Sequence, residues 1–235
     1  MTSVLLYSGG MDSYICAALH QPDVLLHIDT GTAYGDVEAQ RLEVPHGMED
    51  RLTRICLRDL AQWERSDDLI LPGRNAHLVL AAAHYGDTIM LGATAGDRTN
   101  DKNEEFVTHI NRLLAHLYAP QWWIPEGRTP HVTLPIKSHS KRQLVRMYVD
   151  QGHDTHALVH ETFSCYHPDH DTPCGNCKPC VRKWVALWAE GINPHQDSLE
   201  YAKTVLQDMM TSQYSRGEQE LADFETAIRN AEAHT

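Results

Sequence analysis

Short apolar runs, separated by stretches with helical spacing, set the plan of the chain. Residues 4–7 form the first run, and apolar positions then recur at Met11, Ile15, Ala18 and Leu19, one face of a helix. Residues 24–28 form a second run, followed by 55–57, 88–93 and 132–136. Runs without polar alternation suit strands buried on both faces. Between them, residues 36–44 read as a short helix and 76–85 as an alanine- and leucine-rich helix with Asn75 as its N-cap. Residues 106–117 place Phe106, Ile110, Leu113, Leu114 and Leu117 on one helical face. Ser140 with Gln143 forms a capping box, opening a helix that runs to about Gln151 before Gly152. Two further amphipathic helices follow, one through Leu199, Val205 and Leu206 and one through Leu221, Phe224 and Ile228. Their apolar faces serve either packing on the chain's own core or dimerisation. This alternation predicts an α/β fold with a doubly wound, mostly parallel sheet. The expected division is a main unit over residues 1–160 and a small helical C-terminal unit over 161–235.

Composition narrows the function. A chain of 235 residues with 42% hydrophobic and 22% charged content fits a globular protein. No apolar run approaches the roughly 20 residues of a membrane helix. The opening Met1-Thr2-Ser3 leads directly into the first strand, so no signal peptide is expected and the reading is cytoplasmic. A formal net charge of −12 argues against a broad electrostatic footprint for nucleic acid and favours a small-molecule substrate. The 16 histidines are scattered and suggest no common role.

Candidate chemistry concentrates where apolar runs end. Ser8-Gly9-Gly10 lies between the first strand and a helix that starts at Met11, which makes an anion site. Glycines let the backbone approach a ligand, and the free N–H groups of a first helical turn favour negative charge. Ser8 and Ser13 add hydroxyls, and the Asp12 carboxylate suits a magnesium ion on phosphate oxygens. Asp29 and Thr30, after the second run, fall on the same carboxyl edge of a parallel sheet. The Pro72-Gly73 turn leaves Arg74 at a helix start, where a guanidinium suits phosphate or carboxylate. Asp97 ends a small-residue loop, residues 98–105 read as a surface or lid loop, and Lys141 opens another helix after a strand.

The six cysteines are divided unevenly. Cys16 and Cys56 stand alone, while Cys165, Cys174, Cys177 and Cys180 crowd together. A secreted disulfide framework would spread them more evenly. Four thiolates fill a tetrahedral shell and leave no open position, which favours structural zinc. An iron–sulfur cluster also accepts four thiolates, and His167 or His170 could replace one of them. Lys178, Arg182 and Lys183 make this segment locally basic, either as charge-balanced surface or as a positive flank facing an acidic substrate or ATP phosphates.

The S-G-G-M-D-S loop at residues 8–13 resembles that of the ATP pyrophosphatase superfamily, and it lacks the lysine of a Walker loop. Adding Pro72-Gly73-Arg74-Asn75, Leu134-Pro135-Ile136 with Ser140-Lys141, and the run from Thr162 into C-G-N-C-K-P-C, residues 3–188 resemble the QueC family of 7-cyano-7-deazaguanine synthases. The resemblance implies an adenine nucleotide α-hydrolase-like sheet. It also implies a zinc-containing homodimer that converts 7-carboxy-7-deazaguanine, ammonia and ATP to the nitrile preQ0 through an amide, for modification of tRNA or DNA. Ser8, Gly9, Gly10, Met11, Asp12, Ser13, Asp29 and Thr30 would then bind ATP and magnesium, and Asp12, Arg74, Asp97 and Lys141 would surround the reacting groups. Two loops depart from the family pattern, at residues 30–34 and 98–104, and both would border the substrate. A relative that stops at the amide, and a tRNA thiolation enzyme, are the alternative readings.

Overall fold

The computed structural model describes residues 1–33, 35–167, 172–211 and 217–234. β1 (Ser3–Leu6) is the middle strand of a five-stranded, all-parallel sheet, and Val4 and Leu5 are fully buried. β2 (Val24–Asp29) and β3 (Leu52–Cys56) extend it on one side, and β4 (Thr88–Leu91) and β5 (His131–Thr133) on the other, in the order β3-β2-β1-β4-β5. Val4 pairs with both Val24 and Ile89, so three apolar runs meet edge to edge. The helices are α1 (Met11–His20), α2 (Gly35–Gln40), α3 (Arg74–Ala82), α4 (Glu104–Leu117), α5 (Lys141–Asp150), α6 (Thr155–His160), α7 (Lys178–Trp188), α8 (Leu199–Thr211) and α9 (Glu218–Glu232).

Successive strand residues point to opposite faces, so β1 feeds two cores. Leu5 and Leu25 enter one with Ile15 of α1, Leu144 of α5, Leu158 of α6 and Leu187 of α7. Val4, Leu6 and Leu26 enter the other with Val79 of α3 and Ile110 and Leu114 of α4. Helices on both faces make the sheet doubly wound. The chain runs outward from β1 through β2 and β3, then returns to place β4 on the other side of β1. The crevice of such a sheet opens outside the carboxyl ends of the strands at that reversal.

The C-terminal helices pack on the outer face of α7. Val181, Trp184, Val185 and Trp188 close against Ala202 and Met209 of α8 and Phe224, Ala227 and Ala231 of α9. Their apolar faces therefore serve the chain's own core. No helix among the described residues is long and apolar enough to cross a membrane.

Local geometry shifts several expected boundaries. α3 starts at Arg74, two residues before the expected start, and its N-cap is Gly73 in a left-handed conformation (φ 70°). Asn75 is buried inside the first turn, where its Nδ2 donates to the Asp101 carbonyl at 3.2 Å. β5 stops at Thr133, two residues before Pro135, which has no N–H to continue the ladder. The Ser140 capping box forms as expected and opens α5.

Candidate active site

A cleft of about 310 Å³ opens at the carboxyl ends of β1, β2 and β4. The tight turn after β1 forms its floor. Gly9 has φ +71°, a left-handed backbone that favours glycine, and a Cβ there would press on the movable end of Leu42 at 2.9 Å from its Cδ1. α1 begins immediately after Gly10 and has no side-chain cap. Its first-turn N–H groups therefore keep the donor capacity that suits an anion. The Ser13 hydroxyl donates to the Gly10 carbonyl at 3.0 Å, and the Ser8 and Ser13 hydroxyls lie 3.2 Å apart. These bonds hold the loop in shape.

Asp12 pairs with Lys141 through Oδ2, which joins the start of α1 to the start of α5. Its second oxygen, Oδ1, is buried and has no hydrogen-bond partner among the described residues. An orphaned carboxylate oxygen beside an uncapped helix start fits a hard cation that carries phosphate oxygens. Asp97 lies in the loop after β4. Its Oδ2 accepts from the Thr94 amide at 2.8 Å, and its Oδ1 lies 3.4 Å from Lys102 Nζ. Burial raises the Asp97 pKa, but Lys102, the Thr94 amide and Lys141 outweigh that and hold it below the usual carboxylate range. Lys137 Nζ donates to the carbonyls of Thr94 and Asp97, at 3.0 and 2.9 Å, and so fixes this loop.

Ser8, Gly10, Met11, Asp12, Ser13, Thr30, Arg74, Asp97 and Lys141 all line the cleft, which brings most of the expected site residues together. Gly9 acts behind the lining, where its carbonyl accepts from the Phe163 amide at 3.3 Å. Asp29 stands apart: its Oδ1 accepts from the Gly31 amide at 2.8 Å and its Oδ2 pairs with Arg58 at 3.0 Å. It shapes the loop that presents Thr30. The expected lid at 98–105 is tied down through Lys102 and through Asp101, which Asn75 contacts.

One residue of the cleft escaped the sequence. Glu38 of α2 reaches the lining, and burial pushes its pKa up to about 7 against the opposing charge of Arg74. Nothing in its sequence neighbourhood separates it from an ordinary surface acid. A wall of the cleft comes from Phe163, Ser164, Cys165, Tyr166, Lys178 and Arg182, so the basic part of the cysteine segment flanks the cleft. Lys183 anchors that wall, with its ammonium buried and donating to the carbonyls of Val159 at 3.1 Å and Thr162 at 2.6 Å. The lining carries Arg74, Lys102, Lys141, Lys178, Arg182 and Lys183 against Asp12, Glu38 and Asp97. In a chain of net charge −12, this makes the cleft a local basin for an anion.

Cys165, Cys174, Cys177 and Cys180 bring their sulfurs within 4.8 Å of one another, and three of the four are buried. Cys174 Sγ and Cys180 Sγ are 3.9 Å apart. A disulfide needs about 2 Å, whereas the edge of a tetrahedron with zinc–sulfur bonds of about 2.3 Å is roughly 3.8 Å. The donor set therefore fits zinc. Hydrogen bonding within the cluster holds the Cys177 thiol low and pushes Cys180 up. His167 meets the cluster through its backbone amide, 3.4 Å from Cys165 Sγ. His170 lies outside the described residues.

Fold and site together define an α/β enzyme whose cleft sits at the switch point of a parallel sheet, with one wall built on a four-cysteine cluster. The model of the family "Queuosine biosynthesis protein QueC" matches residues 53–190, more than half of the chain. The chain belongs to the QueC family. Among its relatives, the 7-cyano-7-deazaguanine synthase of Chlorobaculum tepidum is 26% identical over 86% of this chain and 96% of its own length. Those of Geobacter sp. and Methanothermobacter thermautotrophicus are also 26% identical, over 86% of this chain and 98% and 99% of theirs.

Proposed function

We propose that the chain is a 7-cyano-7-deazaguanine synthase that adenylates 7-carboxy-7-deazaguanine with ATP and replaces both carboxyl oxygens with nitrogen from ammonia. The observation that carries this reading is the Asp12 side chain, paired with Lys141 on one oxygen and orphaned on the other, at an uncapped helix start. The relatives' names supply the product, 7-cyano-7-deazaguanine.

In this reading ATP phosphates lie on Ser8, Gly10, Ser13 and the first-turn N–H groups of α1. Asp12 would hold magnesium, which would supply charge neutralisation at the phosphates. A substrate carboxylate oxygen attacks the α-phosphorus, the bond to the β-phosphate breaks and pyrophosphate leaves. Ammonia then adds to the acyl carbon and AMP leaves with one former carboxylate oxygen, giving the amide. The amide oxygen then attacks the α-phosphorus of a second ATP and a second pyrophosphate leaves; loss of two protons from nitrogen and departure of a second AMP give the nitrile. Arg74, Lys141 and Arg182 meet the negative charge that develops on phosphate oxygens, while Asp97 holds Lys102 beside them. Glu38 accepts a proton from the attacking nitrogen. No protein nucleophile is needed, so the work is positioning and electrostatic stabilisation.

The four-cysteine cluster would hold structural zinc and keep residues 163–166 against the phosphate loop. We place the ATP-binding unit in residues 1–160 and the zinc-binding unit in 161–235, in a cytoplasmic homodimer with no direct nucleic-acid contact. The test is mass spectrometry of the product from 7-carboxy-7-deazaguanine, ATP, magnesium and ammonium. The nitrile with two AMP per molecule supports the reading; amide alone restricts it to the first half, and no AMP with any ammonium concentration refutes it.

A further inference from the structure

A second cavity of about 420 Å³ adjoins the cleft and shares Lys141 and Arg182 with it. Its size falls within the range of small-molecule sites, about 300–1,000 Å³. The loop Thr94-Ala95-Gly96 forms one side, and the N-terminal half of α9 forms the opposite one with Asp223 and Phe224. α9 lies beyond residues 53–190, where the family model matches, so this wall comes from the chain's own C-terminal helices. The floor is apolar, from Val185, Ala186 and Phe224.

Asp223 is the feature that points to a ligand. It is only 5% exposed, on a helix that otherwise buries alanine and phenylalanine. Its Oδ1 is satisfied by Arg142 at 3.1 Å and by Gln219 at 2.9 Å. Its Oδ2 has one hydrogen bond among the described residues, a long one of 3.4 Å from the Ser140 hydroxyl. A carboxylate oxygen offers two lone-pair sites, so Oδ2 keeps acceptor capacity beyond this one long contact. Here the spare capacity lies in a cavity with an apolar floor and a cationic seam. Such a site matches a planar heterocycle that carries N–H donors on one edge and a carboxylate on the other.

We infer that the second cavity holds the heterocycle of the acid substrate. Asp223 accepts from the ring's lactam N–H and exocyclic amine, and the substrate carboxylate reaches the seam at Lys141 and Arg182, next to the phosphate loop. This inference rests on the functional reading above. It assigns base recognition to α9 and makes Asp223 the residue that selects a 2-amino-4-oxo ring. The Ser140 hydroxyl also caps α5, so the same contact links base recognition to the helix that presents Lys141.

The test is calorimetric titration of the full-length, zinc-loaded chain with 7-carboxy-7-deazaguanine and, separately, with ATP. Gly96 has an ordinary backbone angle, and the nearest atom to a Cβ there is Thr94 Oγ1 at 4.0 Å, so Gly96→Leu fills cavity space without backbone strain. It is expected to weaken the acid at least tenfold and to change ATP affinity less than twofold. Asp223→Asn is expected to erase the preference of the wild-type chain for the acid over its 2-deamino analogue. A structural role for Asp223 would weaken both ligands alike. Unchanged acid affinity in Gly96→Leu, or a loss confined to ATP, overturns the cavity assignment while the functional reading stands. A wild-type chain that binds ATP but not the acid overturns both.

Discussion

Gly175 separates Cys174 from Cys177 and gives a quantitative check on the metal turn. Its φ is +74°, and a Cβ there would lie 2.2 Å from the Asp197 carbonyl oxygen, a backbone atom that cannot swing away. Gly175→Ala therefore meets two penalties. The left-handed conformation costs alanine about 1–2 kcal/mol, and the forced contact adds about 1–3 kcal/mol. The lower entropy of the unfolded alanine chain returns about 0.4–1 kcal/mol. The balance is a loss of about 1–4.6 kcal/mol. For a chain of this length each kcal/mol lowers Tm by about 2–4 °C, so the variant should melt roughly 2–18 °C below wild type. Gly191 provides the control. Its φ is also +74°, but a Cβ there would have no described atom within 4 Å, so Gly191→Ala should show only the conformational cost, about 1–6 °C. Differential scanning fluorimetry of both variants reads the difference, and zinc analysis shows whether the metal turn has loosened. Equal losses in the two variants would refute the close packing of the turn on Asp197, and full zinc occupancy with an unchanged Tm in Gly175→Ala would refute it outright.

Further outcomes follow from the cleft and from the cysteine cluster. Asp12→Ala should lower kcat at least a hundredfold, the scale of losing a preorganised charge at the phosphates, with zinc content unchanged. Lys141→Met should also lower kcat by two orders of magnitude or more, and it should leave the Tm within a few degrees because the Asp12 pair is partly solvated. Glu38 must be ionised to accept a proton, and burial sets its pKa at about 7, so wild-type kcat/KM should rise as pH climbs through that value; Glu38→Gln should lower kcat/KM about a hundredfold and abolish that limb. The same carboxyl binds its proton more tightly folded than unfolded, so its stabilising contribution is full below pH 4.5 and declines as pH rises to about 7; the Tm of Glu38→Gln should gain on wild type across that window. Removing zinc with a strong chelator should lower Tm and raise the KM for ATP, because residues 163–166 lose their support.

The sheet was legible because its strands are continuous apolar runs. The glycine turn at the floor of the cleft was legible because two glycines and a helix start are local features. Four cysteines close in sequence also announced their own cluster. What escaped depended on contacts between distant segments. Asp29 occupies the expected edge, yet Arg58 claims it from 29 residues further along. Glu38 becomes unusual only when tertiary packing buries it beside the cleft. The periodicity of α9 marked an apolar face, but not that Asp223 on the same helix would line a cavity against the Thr94 loop. Arg74 and Asn75 were placed near a helix start, and the left-handed Gly73 moved that start forward so that Asn75 meets Asp101 instead of capping.

The central claim is that this cleft activates a carboxylate by transferring AMP to it. Substrate labelled with ¹⁸O in both carboxylate oxygens tests this directly, with phosphorus NMR or mass spectrometry of the nucleotide products. The account predicts one ¹⁸O in each AMP released, and none in pyrophosphate. Unlabelled AMP, or label in inorganic phosphate alongside ADP, would contradict it.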